Sequence, residues 1–205
     1  GKTVDNGAAW NPDGIDMVYV AGTGSGILAQ NGFYIGKYEV TQAQWQAIMG
    51  SNPSGFAGCS DCPVENISWD DVKNFIGKLN SKTGRNYRLP TEKEWEYAAQ
   101  GGANPKNIYE YAGGNSCGKV AWHSNNSNKR THPVGSKKPN PLGIYDMSGN
   151  VLEWCENHFD DNSPFRVIRG GSWNNDAEDC RIVNRYGTSP GDRGGNVGFR
   201  LVLSE

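Results

Sequence analysis

Apolar and aromatic positions follow two different patterns on either side of Gly101. Before it they recur with the periods of regular elements. Met17-Val18-Tyr19-Val20 and the run Phe33 to Val40 are aromatic and β-branched, which predicts two strands. The intervening Gly22-Thr23-Gly24-Ser25-Gly26 has neither the Lys-Ser/Thr ending of a phosphate loop nor a helical pattern after it, so it predicts a flexible turn. Three helix starts follow, each a hydroxyl residue with Gln, Asp or Glu three positions later, the arrangement in which cap and side chain satisfy each other's backbone amides. Thr41 and Gln44 lead into Trp45, Ile48 and Met49, with Gly50 as a left-handed stop. Ser68 and Asp71 lead into Val72, Phe75, Ile76 and Leu79, one apolar face closed by Gly84. Thr91 and Glu94, preceded by Pro90, lead into Trp95, Ala98 and Ala99, with Gly101 just after.

Beyond Gly101 the helical pattern stops, and Asn, Ser, Gly, Pro and Lys are punctuated by short aromatic or aliphatic groups such as Val120-Ala121-Trp122 and Ile144-Tyr145. Loops and short strands are predicted there, with Arg166 to Arg169 and Val197 to Leu203 the clearest strands. Two blocks, Arg169-Gly170-Gly171-Ser172-Trp173 and Gly198-Phe199-Arg200-Leu201-Val202, bracket a polar segment, residues 174–197, that has almost no apolar surface of its own to bury. Such a segment reads as loops carried on a scaffold, and loops on rigid scaffolds are where binding residues concentrate.

Composition narrows this picture. A chain of 205 residues without repeats or linker-like stretches predicts a single domain, 1–205. Its 28 Gly, seven Trp and nine Tyr, against 36% hydrophobic residues, predict an aromatic core with sparse regular structure. A formal net charge of -2, with Lys and Arg scattered, argues against nucleic acid as a partner. No run approaches the roughly 18 apolar residues of a membrane-spanning helix, and the first residues lack the pattern of a signal peptide. A membrane tether through a leader ahead of Gly1 stays open. Five cysteines are an odd number, so at least one is unpaired within the chain.

The blocks Phe33 to Thr41, Pro63-Val64-Glu65-Asn66-Ile67-Ser68-Trp69, Tyr87 to Ala99, Gly149-Asn150-Val151-Leu152-Glu153-Trp154 and Arg169 to Trp173 together resemble the formylglycine-generating enzyme/sulfatase-modifying-factor family. The resemblance runs through nearly the whole chain in order and implies an α+β, C-type-lectin-like fold with few short helices and strands and many irregular loops. Enzymes of that family oxidise a substrate cysteine with copper held by two cysteines five apart, shortly after the Gly-Gly-Ser-aromatic block. Here the second position is Cys180 and the first is Asn175. An amide oxygen is a poor substitute for a soft thiolate on copper(I), which argues against catalysis. An oxidase with an altered active site around Cys180 stays as the alternative.

The same segment also resembles the variable region of proteins diversified by retroelements, in which miscopied template adenines make AAC-type codons hypervariable. Changing the adenines of such a codon reaches Asn, Asp, Tyr, Gly, Thr and Ser, but never Glu, Gln, Lys, Met or Trp. Asn174, Asn175, Asp176, Asp179, Tyr186, Gly187, Thr188, Ser189, Gly191, Asp192, Gly194, Gly195 and Asn196 all belong to the reachable set, whereas Glu178 does not and is assigned to the frame. The expectation is a non-catalytic ligand-binding protein of extracytoplasmic, cell-surface location, a lipoprotein if a lipid-bearing leader precedes it, taking a variable protein or glycan ligand. Tyr186 is the expected ligand anchor, because a large amphipathic ring buries area at low entropy cost. Trp173, Cys180, Arg181, Arg185, Arg193 and Phe199 are expected to hold the loops.

The resemblance further implies calcium at Asp146, Gly149, Val151 and Glu153, two carboxylates and two carbonyls of the hard-oxygen kind that ion prefers. A hydrogen-bonded turn feeding Trp154 into the core explains the stretch equally well, so no cofactor is required. Cys59-Ser60-Asp61-Cys62 has half of a zinc or redox spacing without a second half, and reads as a local disulfide or two free thiols. His123, His132 and His158 show no metal-ligand spacing.

Overall fold

The computed structural model describes residues 14–23, 31–103 and 109–204. Gly24-Ser25-Gly26 of the expected glycine turn lie outside the described residues. Among those described, the elements are β1 (Met17–Val20), β2 (Phe33–Gly36), α1 (Gln42–Met49), α2 (Trp69–Thr83), β3 (Tyr87–Arg88), α3 (Glu92–Gln100), α4 (Cys117–Val120), β4 (Leu152–His158), β5 (Arg166–Arg169), a single 3-10 turn (Glu178–Cys180), β6 (Arg185–Thr188), β7 (Val197–Gly198) and β8 (Val202–Ser204). Helices are few and strands short, as composition implied.

The three long helices begin and end where their caps require. Thr41, Ser68 and Thr91 each accept the amide three residues on, the side chains of Gln44, Asp71 and Glu94 reach back, and Gly50, Gly84 and Gly101 close the helices in the left-handed region. Each such N-cap is worth about 1 kcal/mol. Val72, Phe75, Ile76 and Leu79 form the buried face of α2. Trp45 of α1 stacks on Phe75 at 5.0 Å, and Phe199 packs edge-on against both.

Two four-stranded sheets complete the scaffold, one in the order β1-β2-β8-β3 and the other β6-β5-β4-β7. The predicted strand Val197 to Leu203 is in fact split between them: β7 runs parallel to β4, and β8 lies antiparallel between β2 and β3. Phe199 to Leu201 bridge the sheets, with the Phe199 carbonyl accepting the Val40 amide at 2.9 Å and the Leu201 carbonyl accepting the Gly36 amide at 2.8 Å. The predicted strand from Phe33 likewise stops at Gly36, where a Cβ would sit 2.9 Å from the Tyr38 carbonyl. Five of the described elements carried no readable pattern: β3, β4, β6, the 3-10 turn Glu178–Cys180 and the one-turn α4, which lacks a side-chain cap.

Candidate functional site

The blocks bracketing the polar segment are rigid for different reasons. Gly170 and Gly171 have φ of 97° and 72°, a region that side-chain-bearing residues rarely enter, and a Cβ on Gly171 would lie 2.7 Å from Cys180 Sγ. The Gly-Gly pair therefore lets the chain turn tightly over Cys180. Beside it, Arg169 is 1% exposed and donates to Glu92 Oε1 at 2.6 Å, Glu96 Oε2 at 2.8 Å and the Ile182 carbonyl at 2.6 Å. At the other end Arg200 is wholly buried and donates to both oxygens of Glu153, at 2.7 and 2.6 Å, and to the carbonyls of Gly36 and Tyr145. Trp95 donates its indole N–H to the same Glu153, so both oxygens of that buried carboxylate are bonded, whereas the Nε of Arg169 is buried without a partner.

Between these blocks the segment is held largely through its backbone. The carbonyls of Asn175, Gly194, Gly195 and Asn196 accept, in turn, from the Ser124 amide at 2.9 Å, the Asn66 amide at 2.9 Å, the Trp173 indole at 2.8 Å and the Leu152 amide at 2.8 Å. The Pro190 carbonyl accepts from the Trp69 amide at 2.9 Å. All five donors lie outside residues 174–197. None of these bonds depends on the side chain at the accepting position. Every expected variable residue is at least partly exposed.

Two side-chain contacts join the halves of the segment into one face: Asn196 donates to Asn174 at 3.1 Å, and the Tyr186 hydroxyl donates to Asp179 Oδ1 at 3.0 Å. Not all of the segment is loop. Residues Arg185 to Thr188 form β6, paired with β5 so that Tyr186 lies opposite Ile168. The Tyr186 ring consequently packs against the main core cluster, and burial together with Asp179 pushes its phenol up to about 12. Tyr186, the expected ligand anchor, is thus partly exposed and packs the rest of its ring on the core.

The expected holding residues do engage the scaffold. Arg185 donates to both oxygens of Glu92, at 2.7 and 2.8 Å, and lies over the Phe159 ring. Burial tends to raise Glu92, but the guanidiniums of Arg185 and Arg169 hold it below the usual carboxylate range. Arg193 makes the same two-point contact with Asp71 of α2, at 2.8 and 3.0 Å. Arg181 meets Glu110 at 3.5 Å, Trp173 packs edge-on against Phe56, and Phe199 is buried in the core.

Of the two metals implied by the resemblance, copper lacks its thiolate pair, because Asn175 stands at the first position. For calcium, Glu153 has both oxygens on Arg200, whose positive charge opposes a second cation there. Asp146 is buried and accepts the Gly135 amide through Oδ2, while burial raises its carboxyl to about 6. The turn carrying Gly149 and Val151 is held instead by Glu39, which accepts from Asn150 Nδ2 at 2.6 Å and the Val151 amide at 3.1 Å. Burial and the neighbouring carboxylates of Asp146 and Glu153 hold Glu39 well above its ordinary range. For Asp146, Gly149, Val151 and Glu153 these bonds accord with the alternative of a hydrogen-bonded turn, while Asp146 Oδ1 is buried with no hydrogen-bond partner. For copper, the Asn175 amide is committed to Ser172 and Asp179. Among the described residues, no group of three or more His, Cys, Asp and Glu is placed to hold a metal ion. Cys59 and Cys62 form a disulfide, one of the two open readings of that spacing. The thiol that meets Cys180 comes from Cys117, a partner hidden by their distance in sequence.

The model of the sulfatase-modifying factor enzyme 1-like domain matches residues 25–205. "Chaperone protein LppX" of Paenibacillus barcinonensis is 36% identical over 84% of this chain and 80% of its own length. "Inactive C-alpha-formylglycine-generating enzyme 2" of Bos taurus is 30% identical, covering 80% of this chain and 57% of its own. The solved structure of "Treponema denticola variable protein 1" superposes with a TM-score of 0.84 at 30% identity, covering 93% of this chain and 95% of that one.

Proposed function

Since the chain belongs to the sulfatase-modifying factor enzyme 1-like family, with the C-type-lectin-like fold of its variable-protein relative, we propose that it is a non-catalytic binding protein whose varied residues lie on the face formed by residues 174–196. The observation that carries this reading is the backbone anchoring of that face. A diversified binder needs a scaffold indifferent to the residues it displays, and bonds from constant donors to main-chain carbonyls survive any side-chain change that leaves the backbone path intact. Apart from Tyr186, whose ring packs on the core, the candidate positions are polar or glycine residues at least partly exposed, so replacing them opens no core cavity. The ligand is a protein or glycan at a foreign surface, since exposed Asn, Asp, Ser, Thr and Gly with part of one tyrosine ring give an adaptable polar face. The Cys59–Cys62 disulfide supports an oxidising, extracytoplasmic location. Among the described residues no helix is long and apolar enough to cross a membrane.

The oxidase alternative has less support, because Asn175 replaces one of the paired cysteines and a relative of this family is itself described as inactive. Deep sequencing of the coding region and its flank across independent isolates is the decisive experiment. Substitutions confined to the thirteen positions, with an adenine-rich near-copy beside a reverse transcriptase, are expected. A uniform segment without a template copy, or turnover of a cysteine-containing sulfatase peptide by the purified protein, overturns the proposal.

A further inference from the structure

Three cysteines are outside the Cys59–Cys62 disulfide, and two of them meet. Cys117 and Cys180 share a small buried cluster with Tyr111, Val120 and Ala121. The third, Cys155, belongs to a different cluster. Their surroundings are unequal. Cys180 is fully buried beneath Gly171, and its carbonyl accepts the Ser148 hydroxyl at 2.8 Å. Cys117 retains 8% exposure, and its neighbours Asn115, Ser116, Lys119 and Val120 help line an open hollow of about 400 Å³. Lys137 lies close enough to Cys117 to stabilise a negative charge there.

We propose that Cys117 and Cys180 are a redox pair that closes to a disulfide by exchange with a small disulfide, stapling α4 to the base of the polar segment. Cys117, as thiolate, attacks one sulfur of the small disulfide and expels the other half as a thiolate, leaving a mixed disulfide on Cys117. Cys180 then gives up its proton, attacks the Cys117 sulfur and expels the second half. The protein dithiol is oxidised by two electrons and one small disulfide is reduced to two thiols, so the exchange balances. The contact between the thiols and the lysine favour charge on Cys117, while the same contact and burial hold Cys180 protonated. Once Cys117 is in the mixed disulfide its thiolate charge is gone, removing one obstacle to deprotonating Cys180. The product ties the 3-10 turn Glu178–Cys180, inside the candidate binding face, to a helix outside it.

The test uses the full chain with the Cys59–Cys62 disulfide intact. It is incubated with oxidised glutathione, quenched in acid, alkylated in denaturant and examined by intact mass and peptide mapping. The wild type is expected to lose two of its three alkylatable thiols, retain no glutathione and yield a crosslinked peptide joining Cys117 to Cys180. Cys180→Ala is expected to stop with one glutathione on Cys117, and Cys117→Ala to keep its remaining thiols. Wild type that keeps all three thiols, retains glutathione or links Cys117 to Cys59 or Cys62 overturns the proposal. Because the wild type alone distinguishes these outcomes, a variant that fails to fold does not weaken the test.

Discussion

The bracketing frame and the polar segment it encloses are held by opposite means. The frame depends on side chains: Arg200 on Glu153, and Arg169 on Glu92 and Glu96, contacts that each need one particular residue. Among the candidate variable positions, Asn175, Gly194, Gly195 and Asn196 rest instead on carbonyls that any residue supplies, while the segment's two-point side-chain ties come from Arg185 and Arg193, which are not among those positions. The difference teaches where this fold tolerates variation. A position is free to vary when the scaffold holds its main chain and its side chain points away from the core, whatever its length of loop.

The sharpest attack on this contrast is Arg200→Met. It leaves Glu153 fully buried and deprived of its counter-ion, and it strips a donor from the Gly36 and Tyr145 carbonyls. Breaking a buried pair in this way costs about 3–5 kcal/mol, enough to unfold a marginal domain. Urea denaturation of the two proteins measures it. A loss below about 1 kcal/mol would mean the frame does not depend on this pair.

A second change in the frame is expected to stabilise. Burial raises the Asp146 carboxyl from 3.8 to about 6, so the folded protein binds this proton more tightly than the unfolded chain. Its contribution favours folding at acid pH and is lost as pH rises through about 6. Asp146→Asn removes that loss while keeping an acceptor for the Gly135 amide, and Asn tolerates the local φ of 58°. At pH 7.5 the variant is expected to be more stable than wild type by on the order of 2 kcal/mol, with the advantage shrinking towards pH 4. Melting curves at both pH values check this, and an advantage independent of pH would refute it.

These two residues also show what was legible. The caps at Thr41, Ser68 and Thr91 were readable because each bond closes within three residues. Arg200 and Glu153 are 47 residues apart, and nothing local announces that they meet. The split of Val197 to Leu203 between two sheets was hidden for the same reason, since an unbroken apolar run reads as one strand. Strand β6 escaped notice because Arg185-Tyr186-Gly187-Thr188 is polar, and its pairing with β5 is a main-chain matter. The candidate site followed the same division: its boundaries were visible as motifs, whereas the donors that hold it, Asn66, Ser124 and Leu152, come from distant blocks.

Within the segment the rule of free variation has an expected exception. A Cβ at Gly187 would lie 2.8 Å from the Phe159 ring, whereas one at Gly191 meets nothing within 4 Å. Gly187→Asn is expected to cost about 1–3 kcal/mol through displacement of Phe159, and Gly191→Asn to stay within about 0.5 kcal/mol. Equal effects at the two sites, read by thermal denaturation, would remove the exception.

The smallest effect is expected where the contrast makes its strictest claim. Replacing Asn174 and Asn196 together by Ser removes their mutual side-chain bond, yet leaves the Asn196 carbonyl to accept from Leu152. Both positions are at least partly exposed, so no cavity forms and water can replace the lost partner. The double variant is therefore expected to match wild type within about 0.5 kcal/mol while changing which ligands the face accepts. A loss of several kcal/mol in urea denaturation would place the stability of the segment in its side chains. In that case the face would be a fixed structure, and diversification of these positions would carry a folding penalty the proposed function cannot sustain.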